Sequence, residues 1–299
     1  MKGSKKRQRR TDLWGWAMAL PLLLGLLIFT LYPLVTSFVY SFFDVNGLDE
    51  MKNFGLQNYK AIFFGDYSRD FFHALKITLI YSVISVPLGL VLGYLLALFL
   101  NAHIKGTGVL TTLYYLPILI PTVVAGALWR DMLDSNYGIF NVILHDYLGL
   151  DRIPFQSEEN LMMSFIWMTT FNIGGGSIIW LAGLRGVDKT YYEAATLDGA
   201  GPIRKFFSVT LPMTTPYIFY NLTMGIIGAL QLFNEPYVLT GGTGGSGEAL
   251  KTLNMLIYGT AFSGLRFGVA SAMSWVLCAI VAALTALTFK TNKWVYYED

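Results

Sequence analysis

Thr190-Tyr191-Tyr192-Glu193-Ala194-Ala195-Thr196-Leu197-Asp198-Gly199-Ala200-Gly201, followed by Val209-Thr210-Leu211-Pro212, is a charged, glycine-broken stretch between two long apolar segments. A polar segment of this kind is tolerated in a lipid-embedded chain only where it lies outside the hydrocarbon. Thr190 and Glu193 fit a capping box, which predicts a short helix starting at Thr190. Gly199 stops it in a left-handed turn, and Pro202 restarts a helix at a favoured first-turn position. Ile203, Phe206, Phe207 and Leu211 then give the second arm one apolar face. The expected shape is an L, with two rigid arms bent at Gly199.

Outward from this elbow the chain is depleted in charge. Of its 299 residues 54% are hydrophobic and 13% charged, about half the charge of a soluble domain. Charges are missing altogether from Leu13 to Phe43, Ile77 to Ile104, Gly106 to Trp129, Asn160 to Leu184, Phe206 to Asn234 and Phe267 to Phe289. Each stretch reaches the ~20 residues that a bilayer-crossing helix needs. The expectation is an all-α integral membrane protein in one domain over 1–299. Its six transmembrane helices fall at about 13–43, 75–101, 108–133, 161–184, 214–239 and 267–290, with a cytoplasmic loop at 185–213. The first stretch exceeds a signal-peptide core of about 7–15 residues and reads as a retained span.

The basic residues set an orientation. Lys2, Lys5, Lys6, Arg7, Arg9, Arg10, Lys105, Arg185, Lys189, Arg204, Lys205, Lys290 and Lys293 all fall at the two ends or in the connections after spans two and four. By the positive-inside rule those regions, both termini included, face the cytoplasm. The basic run before Trp14 abuts a span and so reads as a topology signal rather than a nucleic-acid tail.

Several chemistries are disfavoured. Cys278 is the single cysteine, and His73, His103 and His145 show no metal-ligand spacing. Gly242 to Gly247 matches G-x-G-x-x-G but lacks the strand–turn–helix context of a dinucleotide site, and reads as a mobile exterior loop in a glycine-rich hairpin. The spans hold no charge away from their edges, which argues against proton coupling and voltage sensing. With no catalytic constellation in the bundle, an enzyme is not expected. Gly89 and Gly93 form a small-xxx-small pair suited to close helix packing, within a bundle or between copies. Pro21, Pro33, Pro117 and Pro121 suggest kinked helices, and Gly174-Gly175-Gly176 a bend.

The spacing Glu-Ala-Ala, three residues, Gly, nine residues, Ile, one residue, Leu-Pro is that of membrane subunits of binding-protein-dependent ATP-binding-cassette importers. Glu193-Ala194-Ala195, Gly199 and Leu211-Pro212 match it, with Val209 at the Ile position. Leu31-Tyr32-Pro33, Gly55-Leu56-Gln57-Asn58-Tyr59, Tyr114-Tyr115-Leu116-Pro117 and Tyr237-Val238-Leu239-Thr240-Gly241-Gly242 resemble the carbohydrate branch, the maltose-transporter-like permeases. The resemblance implies a subunit that imports a carbohydrate together with several partners. These are a second homologous permease subunit, two ATP-hydrolysing subunits that bind the ATP and Mg, and an extracytoplasmic sugar-binding protein. This chain itself would hold no cofactor, would contact membrane lipid and would bind no nucleic acid. The ATPase-coupling loop would carry Glu193, Ala194, Ala195, Asp198, Gly199, Ala200, Gly201, Leu211 and Pro212. A sugar needs hydrogen-bonding groups and aromatic faces. Tyr114, Tyr115, Asn172, Asn221, Gln231 and Asn234 are therefore candidates for its pathway, with interhelical bonding as their other use. An importer of amino acids, peptides or polyamines shares the loop. An ion-coupled secondary transporter would need intramembrane carboxylates.

Overall fold

The computed structural model describes residues 15–47, 50–102, 106–171 and 174–296. Among these the chain is helical, with two isolated bridges, Asp44 to Lys52 and Asn46 to Arg266, as the extended pairings. The basic run before Trp14, together with Lys105 and Asn172, lies outside the described residues.

Among the described residues three helices are long and apolar enough to cross a membrane: α1 (Gly15–Tyr40), α3 (Ser68–Asn101) and the helix Phe267–Trp294. Between the first two lies α2 (Gln57–Phe64), the short helix after Gly55. No part of the apolar window of α1 is buried within the chain, so its greasy surface is left for lipid or for another subunit. α1 widens into a π-turn at Leu27–Leu31 just before Tyr32-Pro33. Proline has no N–H and its ring presses on the carbonyl four residues back, and a wide turn relieves that clash. At 34 residues and 1.5 Å per residue, α3 extends about 51 Å, well past the ~30 Å hydrocarbon core.

The third expected span is broken. α4 (Thr107–Tyr115) tightens into a 3-10 turn at Leu116–Leu119, and α5 (Thr122–Met132) leaves it at 96°. Pro121 causes the break, because the residue before a proline is pushed out of the helical region. Ile120 accordingly sits at φ −80, ψ 122. The fourth expected span comprises α6 (Leu161–Thr170) and α7 (Gly174–Gly186). After the elbow, which holds α8 (Lys189–Leu197) and α9 (Pro202–Lys205), the fifth also divides. α10 (Thr215–Leu230) stops at Gln231, and α11 (Asn234–Leu239) is a separate short helix. α12 (Leu253–Tyr258) and α13 (Phe267–Lys290) follow.

The chain forms two compact units. One comprises residues 1–68 and 257–276, the other residues 69–256 and 277–299. In the first, Phe38 meets Trp275 edge-on at 4.7 Å, and the Trp275 indole N–H donates to Ser37 Oγ at 3.1 Å. Asn58, buried, donates to the carbonyls of Ser41 and Phe43. Two apolar clusters of described residues lie in the second unit. One gathers Tyr81, Leu133, Phe165, Ile166, Leu239 and Leu250. The other joins Tyr94, Ala97 and Leu100 of α3 to Trp180, Leu181 and Leu184 of α7, fixed by the Tyr94 hydroxyl 2.8 Å from Thr214 Oγ1.

The glycine-rich stretch after α11 is packed rather than loose, and it forms turns instead of a hairpin. A Cβ at Gly245 would sit 2.3 Å from Leu161 Cδ2, and one at Gly247 2.2 Å from Glu158 Cδ. Bare glycine lets this segment lie directly on the start of α6.

Candidate functional site

The elbow at 185–213 begins on a cap different from the one the sequence predicts. Asp188 is the N-cap, extended at φ −64, ψ 137, and its carboxylate accepts from the Thr190 backbone N–H at 2.9 Å. Thr190 is already inside the helix. An aspartate satisfies an orphan amide as a threonine does and adds a negative charge at the positive helix end. The Thr190 backbone bond, then its side-chain bond, hold the Asp188 carboxyl below its ordinary value of 3.8. A depressed pKa means the cap contributes at and above that value and is lost as pH falls through the lower folded one. Asp188→Ala is therefore expected to fray the first turn of α8 at pH 7, read as faster amide exchange at Thr190 and Tyr191. Asp188→Asn should fray it less. Unchanged exchange in Asp188→Ala would show that the cap does not hold this turn.

α8 ends in a Schellman motif. Gly199 takes φ +73, the Ala200 N–H donates to Ala195 O at 2.9 Å, and the Gly199 N–H to Thr196 O at 3.0 Å. Gly201 is extended and Pro202 opens α9. A π-turn at Phe206–Thr210 follows, then Leu211–Met213 carrying Pro212. Side chains tie the two arms together: Lys205 Nζ donates to Thr196 Oγ1 at 2.8 Å, and the Tyr192 hydroxyl lies 3.1 Å from Thr210 Oγ1. The predicted single apolar face of the second arm is split by the wide turn. Phe206 and Leu211 pack on the Tyr94–Trp180 cluster, whereas Ile203 and Phe207 are exposed. Leu197 is 90% exposed and Ile203 76%, a cost in water that a covering surface would remove. Glu193, Ala194, Asp198, Gly199 and Gly201 are exposed as well, Ala195, Ala200, Leu211 and Pro212 half-buried.

Two of the cavities in the same unit lie away from the elbow. The first, about 340 Å³, lies among α3, α6, α7 and α10, where Gly89, Gly93, Gly225 and Gly228 leave room and Ser85, Thr169, Thr170 and Asn221 supply polar groups. Asn221 Nδ2 is taken by Tyr217 O at 2.8 Å, and its Oδ1 is turned towards Gly176. The second, about 430 Å³, is walled by Trp129, Phe171, Met132 and Met168, and Glu235 lines it with Thr122, Thr169 and Tyr81.

Of the pathway candidates among the described residues, Asn221 alone lines either cavity. Tyr114 is exposed, Tyr115 half-buried, and Asn234 exposed at the start of α11. Gln231 is exposed, and its carbonyl accepts from Asn254 Nδ2 at 2.7 Å. Sequence reasoning missed Trp129, Thr169 and Glu235. The sequence signal was faint: glycines spaced along two charge-free stretches mark open space, and Glu235 lies one residue beyond the stretch ending at Asn234. Among the described residues no cluster of His, Cys, Asp and Glu suits a metal ion.

A family model described as "Binding-protein-dependent transport system inner membrane component" matches residues 85–295. The probable ABC transporter permease protein YesP of Bacillus subtilis (strain 168) is 36% identical over 295 residues, covering 97% of this chain and 94% of that protein. The trehalose/maltose transport system permease protein MalF of Thermococcus litoralis is 33% identical over 296 residues, covering 97% of both chains. Among solved structures, a bacterial ABC transporter involved in the import of the acidic polysaccharide alginate aligns with a TM-score of 0.80 at 24% identity, over 99% of this chain and 100% of that one. That likeness concerns the fold.

Proposed function

We propose, from the premise that this chain belongs to the family of binding-protein-dependent transport system inner membrane components, that it is the permease subunit of an ATP-driven carbohydrate importer. Relatives over nearly its whole length are named as transport permeases, among them one for trehalose and maltose and one for lactose. No catalytic role falls to it. ATP and Mg belong to the partner subunits, and a second permease completes the pore. A solved alginate importer was captured with its periplasmic protein, and a sugar-binding protein delivering substrate to this chain follows by analogy.

In the proposed topology the helices make six crossings of the cytoplasmic membrane. The bent pair α4–α5 counts as one, α6–α7 as the fourth, and α10 with α11 as the fifth. Both ends of the chain and the elbow face the cytoplasm, in keeping with the distribution of Lys and Arg. The observation that carries the coupling role is the elbow's form: a capped helix, a glycine stop, two cross-ties and an apolar tip of Leu197, Ile203 and Phe207 left uncovered. A stiff lever with an uncovered apolar tip suits a cleft in an ATPase subunit. Rocking of the elbow would then open the bundle to alternate sides of the membrane around the two cavities.

Charge reversal tests this seat. Glu193→Lys, exposed on α8, is expected to lower recovery of the ATPase subunits on affinity purification and to reduce ATP hydrolysis stimulated by the loaded binding protein. Full recovery and normal stimulation would remove the elbow from the ATPase contact.

A further inference from the structure

The 430 Å³ cavity is lined by a carboxylate, Glu235, with which no cation among the described residues pairs. Glu235 is half-buried. Among the described residues no Lys, Arg or His lies within ion-pair distance of it, and no hydrogen bond satisfies its carboxylate. A carboxylate that lines a cavity with no partner among the described residues can accept hydrogen bonds from a ligand there, and an ionisable group in the proposed fifth crossing is of the kind retained for what it binds. Its position is set firmly. Pro236 and Leu239 of α11 are buried, and Val238 closes on α5 so tightly that a Cβ at Gly126 would come within 2.9 Å of it. Trp129 lines the same cavity and is held by three rings, Phe171, Trp167 and Phe140, with centroids 5.0, 5.7 and 5.8 Å away.

We propose that Glu235 and Trp129 form a saccharide-recognition site, in which the carboxylate accepts hydroxyl hydrogen bonds from a neutral sugar ring stacked on the indole. The chemistry fits term by term. An ionised carboxylate has about four acceptor sites and no donor, and a sugar edge offers adjacent hydroxyl donors. The apolar face of a pyranose meets an aromatic wall, and the Thr122, Thr169 and Tyr81 hydroxyls can give or take the remaining bonds. A fixed negative charge also repels saccharides carrying carboxylates, so the site selects for uncharged ones. This deepens the importer reading above and rests on it.

The test uses the full transporter, with its second permease, ATPase subunits and binding protein. In nanodiscs without the binding protein, quenching of tryptophan fluorescence is titrated with maltose, trehalose, lactose and digalacturonate. Sugar uptake into proteoliposomes is followed in parallel. Wild type is expected to bind at least one neutral sugar and to take it up only with ATP. Glu235→Ala should weaken that binding about tenfold or more, the scale of lost charge-assisted hydrogen bonds. Glu235→Gln, which keeps the shape, should weaken it less and raise the uptake of digalacturonate relative to the neutral sugar. Trp129→Ala should abolish the quenching change. Uptake by wild type without ATP would sink the importer reading itself. ATP-driven uptake with Glu235→Ala binding within twofold of wild type, or no neutral sugar bound at all, would overturn this proposal alone. Loss of the second permease from Glu235→Ala with sugar affinity unchanged in Glu235→Gln would also overturn it, marking the carboxylate as an intersubunit contact. Should Glu235→Ala fail to assemble, the Glu235→Gln affinity and digalacturonate ratio decide.

Discussion

Gly199→Val is expected to cut ATP-linked uptake about tenfold or more, because a β-branched residue in the left-handed region costs ~1–2 kcal/mol and disfavours the bend. The cause is purely conformational. A Cβ at Gly199 would meet nothing within 4 Å, and the strain comes from its φ of +73. The two Schellman bonds from Gly199 and Ala200 then compete with continued helix, which would carry Leu197 and Ile203 out of their present relation. Gly199→Asn separates conformation from bulk, since asparagine visits this region routinely. It should keep most of the uptake that valine loses. The measurement is uptake and binding-protein-stimulated ATP hydrolysis in proteoliposomes at matched protein levels. Equal uptake by the valine variant and wild type would mean the bend does not transmit work.

The other large effect is expected at Gly183 on α7. A Cβ there would lie 2.5 Å from Tyr217 Cδ2 and 2.6 Å from Cγ, with the ring of Tyr217 on α10 in the way. Even alanine must push the two helices apart, and overpacking of this kind costs ~1–3 kcal/mol. Gly183→Leu should lower the thermal midpoint of the purified complex by several degrees and impair uptake. Gly183→Ala should be milder, and shrinking the opposing ring in Gly183→Ala/Tyr217→Ala should recover part of the loss. A double variant no more stable than the alanine single would place the damage elsewhere. The contact matters for function because α7 enters the elbow and α10 leaves it.

Charge-free stretches in the sequence coincide with α1, α3 and α13, since a long apolar helix leaves an uninterrupted mark. They did less for α4 and α5. Composition is blind to the break at Ile120-Pro121, because Pro121 acts on backbone torsion and leaves hydropathy untouched. The elbow was legible in outline from Gly199 and Pro202, whose backbone demands are nearly unique. Its start was misread because Asp188 and Thr190 both suit a cap, and the helix begins immediately after Asp188. The pathway was the least legible part. Tyr114 and Tyr115 are polar aromatic residues on an apolar helix, yet the direction a side chain faces depends on helix packing across the break. Glu235 escaped notice because a rule that seeks charge inside apolar runs stops at the run's edge.

The π-turn at Phe206–Thr210 carries a consequence for how this loop tolerates change in length. A wide turn stores one residue more than a regular one, so it keeps everything upstream rotated by about 100° about the helix axis. Excising a single residue there would let the coil tighten and swing Ile203 round to a different azimuth, with Leu211 left in place. Leu-Pro thus acts as an angular stop: by forcing the swollen turn ahead of it, Pro212 sets the compass bearing at which the apolar tip meets whatever it is pressed against.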